Sequence, residues 1–175
     1  MIIRKTTSGD LPAIMQLYAD ARVFMRESGN LKQWLNSYPP QKIIEQDIED
    51  NNSYVCIENN EIVATFFFNM LPDPTYTVIN GKWLNQDPYG VVHRIAASRK
   101  IKGTGTFCLN WCFEQCHNLK IDTHCDNTPM QKLLHKLGFT YCGIIWLLNG
   151  DERMAFQKSN DISPQITNKY LTQTE

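Results

Sequence analysis

Residues 91–105 read VVHRIAASRKIKGTG and decide the fold prediction, because a strand pattern gives way there to a glycine turn. Val91 to Ala97 is apolar enough for a buried strand. Gly103 and Gly105 let the backbone approach a ligand closely. A helix is predicted from Gly105 to His117, and its first free amides would face an anion with the positive end of the helix dipole. The segment is therefore either a pyrophosphate-binding loop or a plain turn.

Outward from this stretch, the chain alternates between patterns of strand and helix. Helices are predicted after Asp10, after Pro40 and after Asn127, where apolar residues recur at helical spacing. Residues 70–90 form a long loop rich in aromatics. The chain is thus expected to form a single mixed α/β (α+β) domain over residues 1–158, with a polar tail at 159–175. Further strands are predicted at Ile2–Arg4, Tyr54–Ile57, Ile62–Asn69, Leu119–Cys125, Phe139–Leu148 and Glu152–Lys158.

The composition excludes several classes of protein. Hydrophobic residues make up 42% and charged residues 20% of the 175, which is typical of a globular chain. Lys and Arg total 17 against 18 for Asp and Glu, so there is no global basic field for nucleic acid. No apolar run approaches the roughly 20 residues of a membrane span, and the start lacks a signal peptide. We expect a cytoplasmic protein, monomeric or homodimeric, without a nucleic-acid or membrane partner.

The cysteines suggest no metal centre. Cys108, Cys112 and Cys116 recur every four residues on one predicted helix stripe beside His117. That spacing fits no usual zinc or iron–sulfur pattern, and buried free thiols are common. We expect reduced thiols and no metal site.

Two blocks of the sequence resemble the signatures of the GNAT superfamily of N-acetyltransferases. The family's phosphate loop, Gln/Arg-x-x-Gly-x-Gly/Ala, is matched by Lys100-x-x-Gly103-x-Gly105, with Lys in place of Gln or Arg. Its second signature is an Asn before a helix that ends in Lys-x-Gly-Phe, matched by Asn127 and by Lys136-Leu137-Gly138-Phe139. The resemblance spans roughly residues 2–158. It implies a mixed, V-splayed central sheet of about seven strands flanked by about four helices.

The same resemblance implies where acetyl-CoA, the acetyl donor, would bind. Amides of the glycine loop would hold its pyrophosphate, and nearby lysines would meet phosphate charge. The backbone at the end of the preceding strand would pair with the pantetheine arm and polarise the thioester carbonyl, and an asparagine would bond to that arm. The implied residues are Ile95 and Ala96 on the strand, Lys100, Lys102, Gly103, Thr104 and Gly105 in the loop, and Asn127.

The implied reaction moves an acetyl group directly to a primary amine of a small molecule or peptide. The amine attacks in its neutral form, so a group must remove a proton near neutral pH. His93 is the candidate base, since histidine titrates in that range. On a regular strand it would share a face with Ile95. The alternative for His93 is a structural hydrogen bond.

The candidate acid is less direct. Many members carry a Tyr four residues before the Gly of Lys-x-Gly-Phe, as the acid for the leaving thiolate, but this chain has Leu134 there. Tyr141 in the next strand, or solvent, would replace it. Asp122 and His124 lie on one face of a predicted strand and form either a structural polar pair or a catalytic dyad. A second hypothesis is a CoA- or acyl-CoA-binding module without turnover.

Aromatic side chains are concentrated in the two irregular regions. They could wall a pocket for an apolar or cationic amine, or they could pack the loops onto the sheet. Trp34 and Tyr89 are the candidate acceptor-binding residues. The full set is Trp34, Tyr38, Tyr76, Trp83 and Tyr89.

Overall fold

Strands and helices follow one another along residues 1–160, the part of the chain that the computed structural model describes. Short 3₁₀ helices at Ser8–Asp10 and Pro74–Tyr76 add to them. The α-helices of this part are α1 (Leu11–Glu27), α2 (Gln41–Glu49), α3 (Thr104–Cys116) and α4 (Thr128–Lys136). Its strands are β1 (Ile2–Lys5), β2 (Ser53–Glu58), β3 (Glu61–Asn69), β4 (Asn80–Gly81), β5 (Gly90–Ala97), β6 (Asn118–Thr123), β7 (Thr140–Trp146) and β8 (Glu152–Ser159).

All eight of these strands form one sheet in the order β1-β2-β3-β5-β6-β8-β7-β4. The resemblance implied about seven, and the additional one is β4, which is two residues long and lies at the edge. Within the described residues, β5 and β6 are the one parallel pair. The mixed α+β architecture expected from the sequence is thus confirmed.

The sheet opens between β5 and β6. Their parallel pairing runs only from Gly90 with Leu119 to Val92 with Ile121. Both strands continue beyond it, β5 to Ala97 and β6 to Thr123. Because the strands part after Val92, their ends leave a gap in the middle of the sheet, which is the splay expected from the resemblance.

The helices cover the two faces of the sheet. On one face, α3 and α4 bury Leu109 and Leu134 against a core that includes Ile121 and Phe156. On the other face, α1 and α2 pack Ile14, Tyr18 and Ile44 against Val55 and Ala96. All six cysteines are free, and Cys108 and Cys112 are fully buried in the first of these cores.

A bulge at Arg94 interrupts β5. His93 pairs with Phe67 and Ala96 pairs with Thr65, so two residues of β5 stand opposite one of β3. Arg94 takes a left-handed conformation, with a φ of 51°. His93 and Ala96 therefore share one face, and Ile95 lies on the other. The prediction that His93 and Ile95 share a face is wrong, because the bulge breaks the alternation of side chains.

Two side chains hold this bulge in place. The Tyr18 hydroxyl donates to the Arg94 carbonyl oxygen at 3.0 Å. The Arg94 guanidinium donates from Nε and Nη2 to the two oxygens of Asp47, at 3.0 and 2.8 Å. Burial raises the pKa of Tyr18, so this hydroxyl stays a donor. Helices α1 and α2 thus fix the conformation of β5 beside the gap.

The C-terminal boundary differs slightly from the prediction. β8 continues to Ser159, so the expected start of the tail lies at the end of a strand. The remainder of the predicted tail, residues 161–175, lies outside the described residues. Within residues 1–160, no helix has the length and apolar character needed to cross a membrane.

Candidate active site

A cleft of about 860 Å³ lies where β5 and β6 part. Its walls come from distant parts of the chain: the segment after α1, the loop before β5, both splayed strands, the start of α4 and the turn between β7 and β8. This volume falls in the range of small-molecule sites. Polar side chains at its base are His93, Asp73, Asp122 and Arg153.

His93 lies between two carboxylates of this cleft. Its Nε2 is 2.7 Å from Asp73 Oδ2, which is a good hydrogen-bond distance. Its Nδ1 is 3.6 Å from Asp122 Oδ2, which is longer than a direct hydrogen bond. With the proton on Nε2 facing Asp73, Nδ1 keeps a lone pair. The His93 side chain lines the cleft and is 23% exposed.

Asp73 is rigidly held and ionised. Its Oδ1 accepts from the Thr75 amide at 2.8 Å and from the Thr75 hydroxyl at 2.6 Å. Its own amide donates to the Tyr89 hydroxyl at 3.2 Å. Burial raises the pKa of Asp73, but the hydrogen bonds from His93 and Thr75 outweigh it and lower that pKa to about 2. A carboxylate in this state fixes which nitrogen of His93 carries the proton.

Asp73 was not identified as a functional residue from the sequence. Its local signal is Pro72-Asp73-Pro74-Thr75, a pattern in which an Asp side chain caps the turn two residues ahead. This pattern predicts a turn, but it says nothing of the contact with His93, twenty residues away.

Asp122 completes the polar base of the cleft. Its Oδ2 accepts from the Tyr76 hydroxyl at 2.8 Å, and its Oδ1 is 4.0 Å from Arg153 Nε. Burial raises the pKa of Tyr76, and the charge of Asp122 raises it further. His124 is engaged elsewhere, since its Nδ1 accepts from the Asp126 amide at 3.1 Å. Asp122 thus contacts His93 and Tyr76 rather than forming the dyad that the sequence left open.

The glycine loop lies at the start of α3, which covers the face of the sheet opposite to the face of His93 and Ala96. Gly103 caps the helix with a φ of 87°, and a Cβ placed at this position would meet nothing within 4 Å. The first helical bond runs from the Phe107 amide to the Gly103 carbonyl at 2.9 Å, which leaves the preceding amides free of helical partners. Thr104 is buried and donates its hydroxyl to Ile101 O at 3.0 Å. Lys100 and Lys102 are exposed beside this open end.

The strand residues of the expected donor site face both sides of the sheet. Ile95 lines the cleft and packs toward the α3 core, whereas Ala96 is buried against α1 and α2. The α3 loop and His93 therefore flank the gap from opposite faces.

Asn127 lies at the cleft as the N-cap of α4. Its Oδ1 accepts from the Met130 amide at 3.2 Å. Its Nδ2 donates to Gln33 Oε1 at 3.0 Å, which joins α4 to the segment after α1. The side chain is 8% exposed and lines the cleft.

The aromatic residues divide between the two interpretations. Trp34 lines the cleft, with its ring 5.6 Å from that of Tyr18, and Tyr38 lines it as well. Tyr76 and Trp83 are buried and pack the loop onto the sheet. Tyr89, a predicted acceptor-binding residue, does not line the cleft, and its hydroxyl instead accepts a hydrogen bond from the Asp73 amide.

Tyr141 is not brought to the cleft. It pairs with Phe156, which pairs with Ile121, which pairs with Val92. Three strand spacings, about 14 Å, therefore separate it from β5. Its side chain is 45% exposed at the outer part of the sheet, so the prediction of Tyr141 as acid gains no support from the structure. Leu134 is fully buried in the α3–α4 core.

Comparisons with known proteins agree with this geometry. A model of the acetyltransferase (GNAT) family matches residues 11–139. A GNAT-family acetyltransferase from Streptococcus agalactiae is 32% identical and superposes with a TM-score of 0.82, over 91% of this chain and 95% of that one. A search of curated proteins found no match.

More distant structures share the fold. The ribosomal-protein-alanine N-acetyltransferase from Brucella melitensis is 19% identical, with a TM-score of 0.62 over 91% of this chain and 99% of that one. The structure of yncA from Salmonella typhimurium, described with its cofactor acetyl-CoA, is 16% identical, with a TM-score of 0.62 over 91% and 94%. With the family model matching most of its length, the chain belongs to the GNAT family of acetyltransferases.

Proposed function

We propose that this protein is an N-acetyltransferase that moves an acetyl group from acetyl-CoA to a primary amine. Acetyl transfer from acetyl-CoA follows from the family, and the amine acceptor is our proposal. The observation that carries it is His93, which lies in the cleft at the splay with Nε2 held by Asp73 and Nδ1 free of a direct bond. That arrangement suits removal of a proton from an ammonium group.

The donor side fits acetyl-CoA. Free amides at the start of α3 and the open space above Gly103 suit a pyrophosphate, which a side chain at that position would obstruct. Acetyl-CoA supplies an acyl group on a good leaving thiolate. We assign the pyrophosphate to Gly103, Thr104 and Gly105, phosphate charge to Lys100 and Lys102, and the pantetheine arm to Ile95, Ala96 and Asn127.

The acceptor side supplies the base. We assign His93 Nδ1 the removal of the amine proton, directly or through one water, and Asp73 the positioning of the ring. Once protonated, the imidazolium lies between two carboxylates, Asp73 and Asp122, which stabilise its charge. Trp34 would wall the acceptor site. A thiolate needs little help from an acid, so neither Leu134 nor Tyr141 is required.

The cysteines suggest the compartment in which the reaction takes place. Six free thiols suit the reducing cytoplasm, where we place the protein. We further propose that it acts as a monomer or homodimer.

A panel of primary amines tests the proposal. Free thiol released from acetyl-CoA is measured, and the product is identified by mass. We expect an N-acetylated product, and we expect His93→Ala to lower turnover about 10²–10⁴-fold with acetyl-CoA affinity retained. His135→Ala is the control, because that histidine is exposed on α4 away from the cleft and should retain turnover.

Two results would contradict the proposal. If acetyl-CoA binds but no amine accelerates thiol release, the chain is a binding module without turnover. If the His93→Ala variant keeps full activity at every pH, the proton leaves through another group.

A further inference from the structure

Two segments that line the cleft present leucines to solvent. The segment after α1 contributes Leu35, which is 57% exposed, and the turn between β7 and β8 contributes Leu148, which is 93% exposed. Isolated exposed leucines are common on protein surfaces. Here the two line one cleft from separate parts of the chain, so that apolar surface reaches the cleft from both segments.

Hydrogen bonds fix both segments. The Leu147 amide donates to Asp151 O at 2.9 Å, and the Gly150 amide donates to Leu147 O at 2.8 Å, closing the turn around Leu148. In the other segment, Gln33 Oε1 accepts from Asn30 Nδ2 at 2.8 Å and from Asn127 Nδ2 at 3.0 Å. These hydrogen bonds fix both of the segments that contain the leucines.

Two aromatic rings add to the apolar lining of the cleft. Trp34 and Tyr38, which flank Leu35 in sequence, both line the cleft, and their ring centroids are 6.3 Å apart. The Tyr38 carbonyl accepts from Arg22 Nη1 at 3.2 Å, which ties this wall to α1. The lining of the cleft thus combines exposed leucines, aromatic rings and carboxylates.

The lining of the cleft carries an excess of one negative charge, apart from His93. Three aspartates are among the described lining residues. Arg94 also lines the cleft, but its charge is neutralised by Asp47, which does not line it. The remaining cations are Lys32 and Arg153, and Arg153 lies between Asp122 at 4.0 Å and Asp151 at 3.7 Å. The aspartates are Asp73, Asp122 and Asp151.

From these apolar side chains and this net charge, we infer that the preferred acceptor is a primary amine with a single positive charge and an apolar aliphatic or aromatic chain. This inference rests on the proposed function. The ammonium group would lie at the Asp73–His93 pair, and the chain would lie between Leu35 and Leu148. The one excess negative charge of the lining balances a single ammonium group, so the second ammonium group of a dication would lack a countercharge in the cleft.

Matched amines test the acceptor class on the intact protein. Values of kcat/KM are measured by thiol release for ethylamine, butylamine, hexylamine and phenethylamine, with 1,6-diaminohexane as the partner of hexylamine. We expect kcat/KM to rise about two- to fourfold per added methylene, the gain from burying one CH₂ group. The diamine, which has the same chain and a second charge, should be at least about tenfold poorer than hexylamine.

Surface variants test the two leucines. Leu148→Ser and Leu35→Ser should flatten the dependence of kcat/KM on chain length, with a larger fall for hexylamine than for ethylamine. Leu31→Ser is the control, because Leu31 is 62% exposed in the same segment but does not line the cleft. Unchanged melting temperatures will show that the variants are folded.

The outcomes separate this inference from the proposed function. Thiol release with no dependence on chain length, or with a preference for the diamine, overturns the inference alone. Wild-type chain dependence that survives in both serine variants overturns the role of the leucines. Absence of turnover with every amine overturns the proposed function and this inference with it.

Discussion

The two segments that flank β5 differ in how they build a site. After β5, residues 98–103 present backbone: a glycine with positive φ and the open start of α3. Before β5, residues 70–89 present side chains: Asp73 bonds His93 while Tyr76 bonds Asp122. The first segment is the proposed binding loop for the donor, and the second supports the proposed base.

This difference follows from the chemistry of the two ligands. A pyrophosphate is bound well by consecutive amides at a helix start, which need only small residues and a turn. A base needs one imidazole nitrogen fixed by a partner, and that partner can come from any part of the chain. Donor and acceptor sides should therefore respond differently to substitution.

The largest effect on ligand binding is expected on the donor side. Gly103→Asp should weaken acetyl-CoA binding at least about 100-fold, equivalent to about 2.8 kcal/mol, because a carboxylate would occupy the space above the loop and repel the pyrophosphate. Gly105→Asp should act likewise, with an added packing cost, since its Cβ would lie 3.3 Å from Leu133 Cδ2. Calorimetric titration with acetyl-CoA measures both.

Gly138→Asp is the matched control for backbone strain. Gly138 has a φ of 81°, against 87° for Gly103, and a Cβ at either position meets nothing within 4 Å. It lies at the far end of α4, so its variant should keep acetyl-CoA affinity within about twofold. Equal loss of affinity in both variants would show that strain, rather than the loop, is responsible.

Leu134 occupies the position at which many family members carry a Tyr as the acid, so its substitution tests whether this position affects turnover or only stability. This residue is fully buried in the α3–α4 core, so Leu134→Ala should lower the free energy of unfolding by about 2–5 kcal/mol. Turnover per folded molecule should change little. Urea unfolding and active-site titration measure the two quantities, and an unaltered stability with collapsed turnover would contradict this assignment.

The local geometry of the proposed donor side could be predicted from the sequence because its signals are local. Gly103 and Gly105 stand beside a strand and a helix start, and Asn127 begins a helix three residues before Met130, whose amide it caps. The splay of β5 and β6 was accessible through the resemblance. Each of these features depends on a short stretch of chain.

The acceptor side could not be predicted in the same way. The bulge at Arg94 depends on Tyr18 and Asp47, which are distant in sequence. Without that bulge, strand alternation places His93 and Ile95 on one face, which is incorrect here. Asp73 is recognisable only as a turn residue, and its contact with His93 follows from the path of a long loop.

Asp73→Asn tests the acceptor side through positioning. The amide preserves the size of the side chain but removes the charge that fixes and stabilises the imidazole. We expect kcat to fall about 10–100-fold, with acetyl-CoA affinity unchanged, and the acidic limb of the pH–rate profile to move to lower pH. Asp20→Asn, at an exposed carboxylate on α1, is the control. A fall in kcat with an unmoved acidic limb would indicate a merely structural role for Asp73.

The smallest effect is expected in the stability of the same variant at low pH. The pKa of Asp73 is about 2 in the folded protein, against a usual 3.8, because hydrogen bonds from His93 and Thr75 outweigh burial. A carboxylate with a lowered pKa contributes stability that is fully present above its unfolded pKa and is lost as the pH falls through its folded pKa. With allowance for partial exposure, this contribution is on the order of 1 kcal/mol. The difference in melting temperature between wild type and Asp73→Asn should therefore narrow as the pH falls from about 4 toward 2, a range in which His93 is already protonated in both proteins. Other carboxylates titrate in both proteins and cancel in the difference, which circular dichroism can follow. A difference that stays constant down to pH 2 would show that the bonds to Asp73 do not favour its charged form.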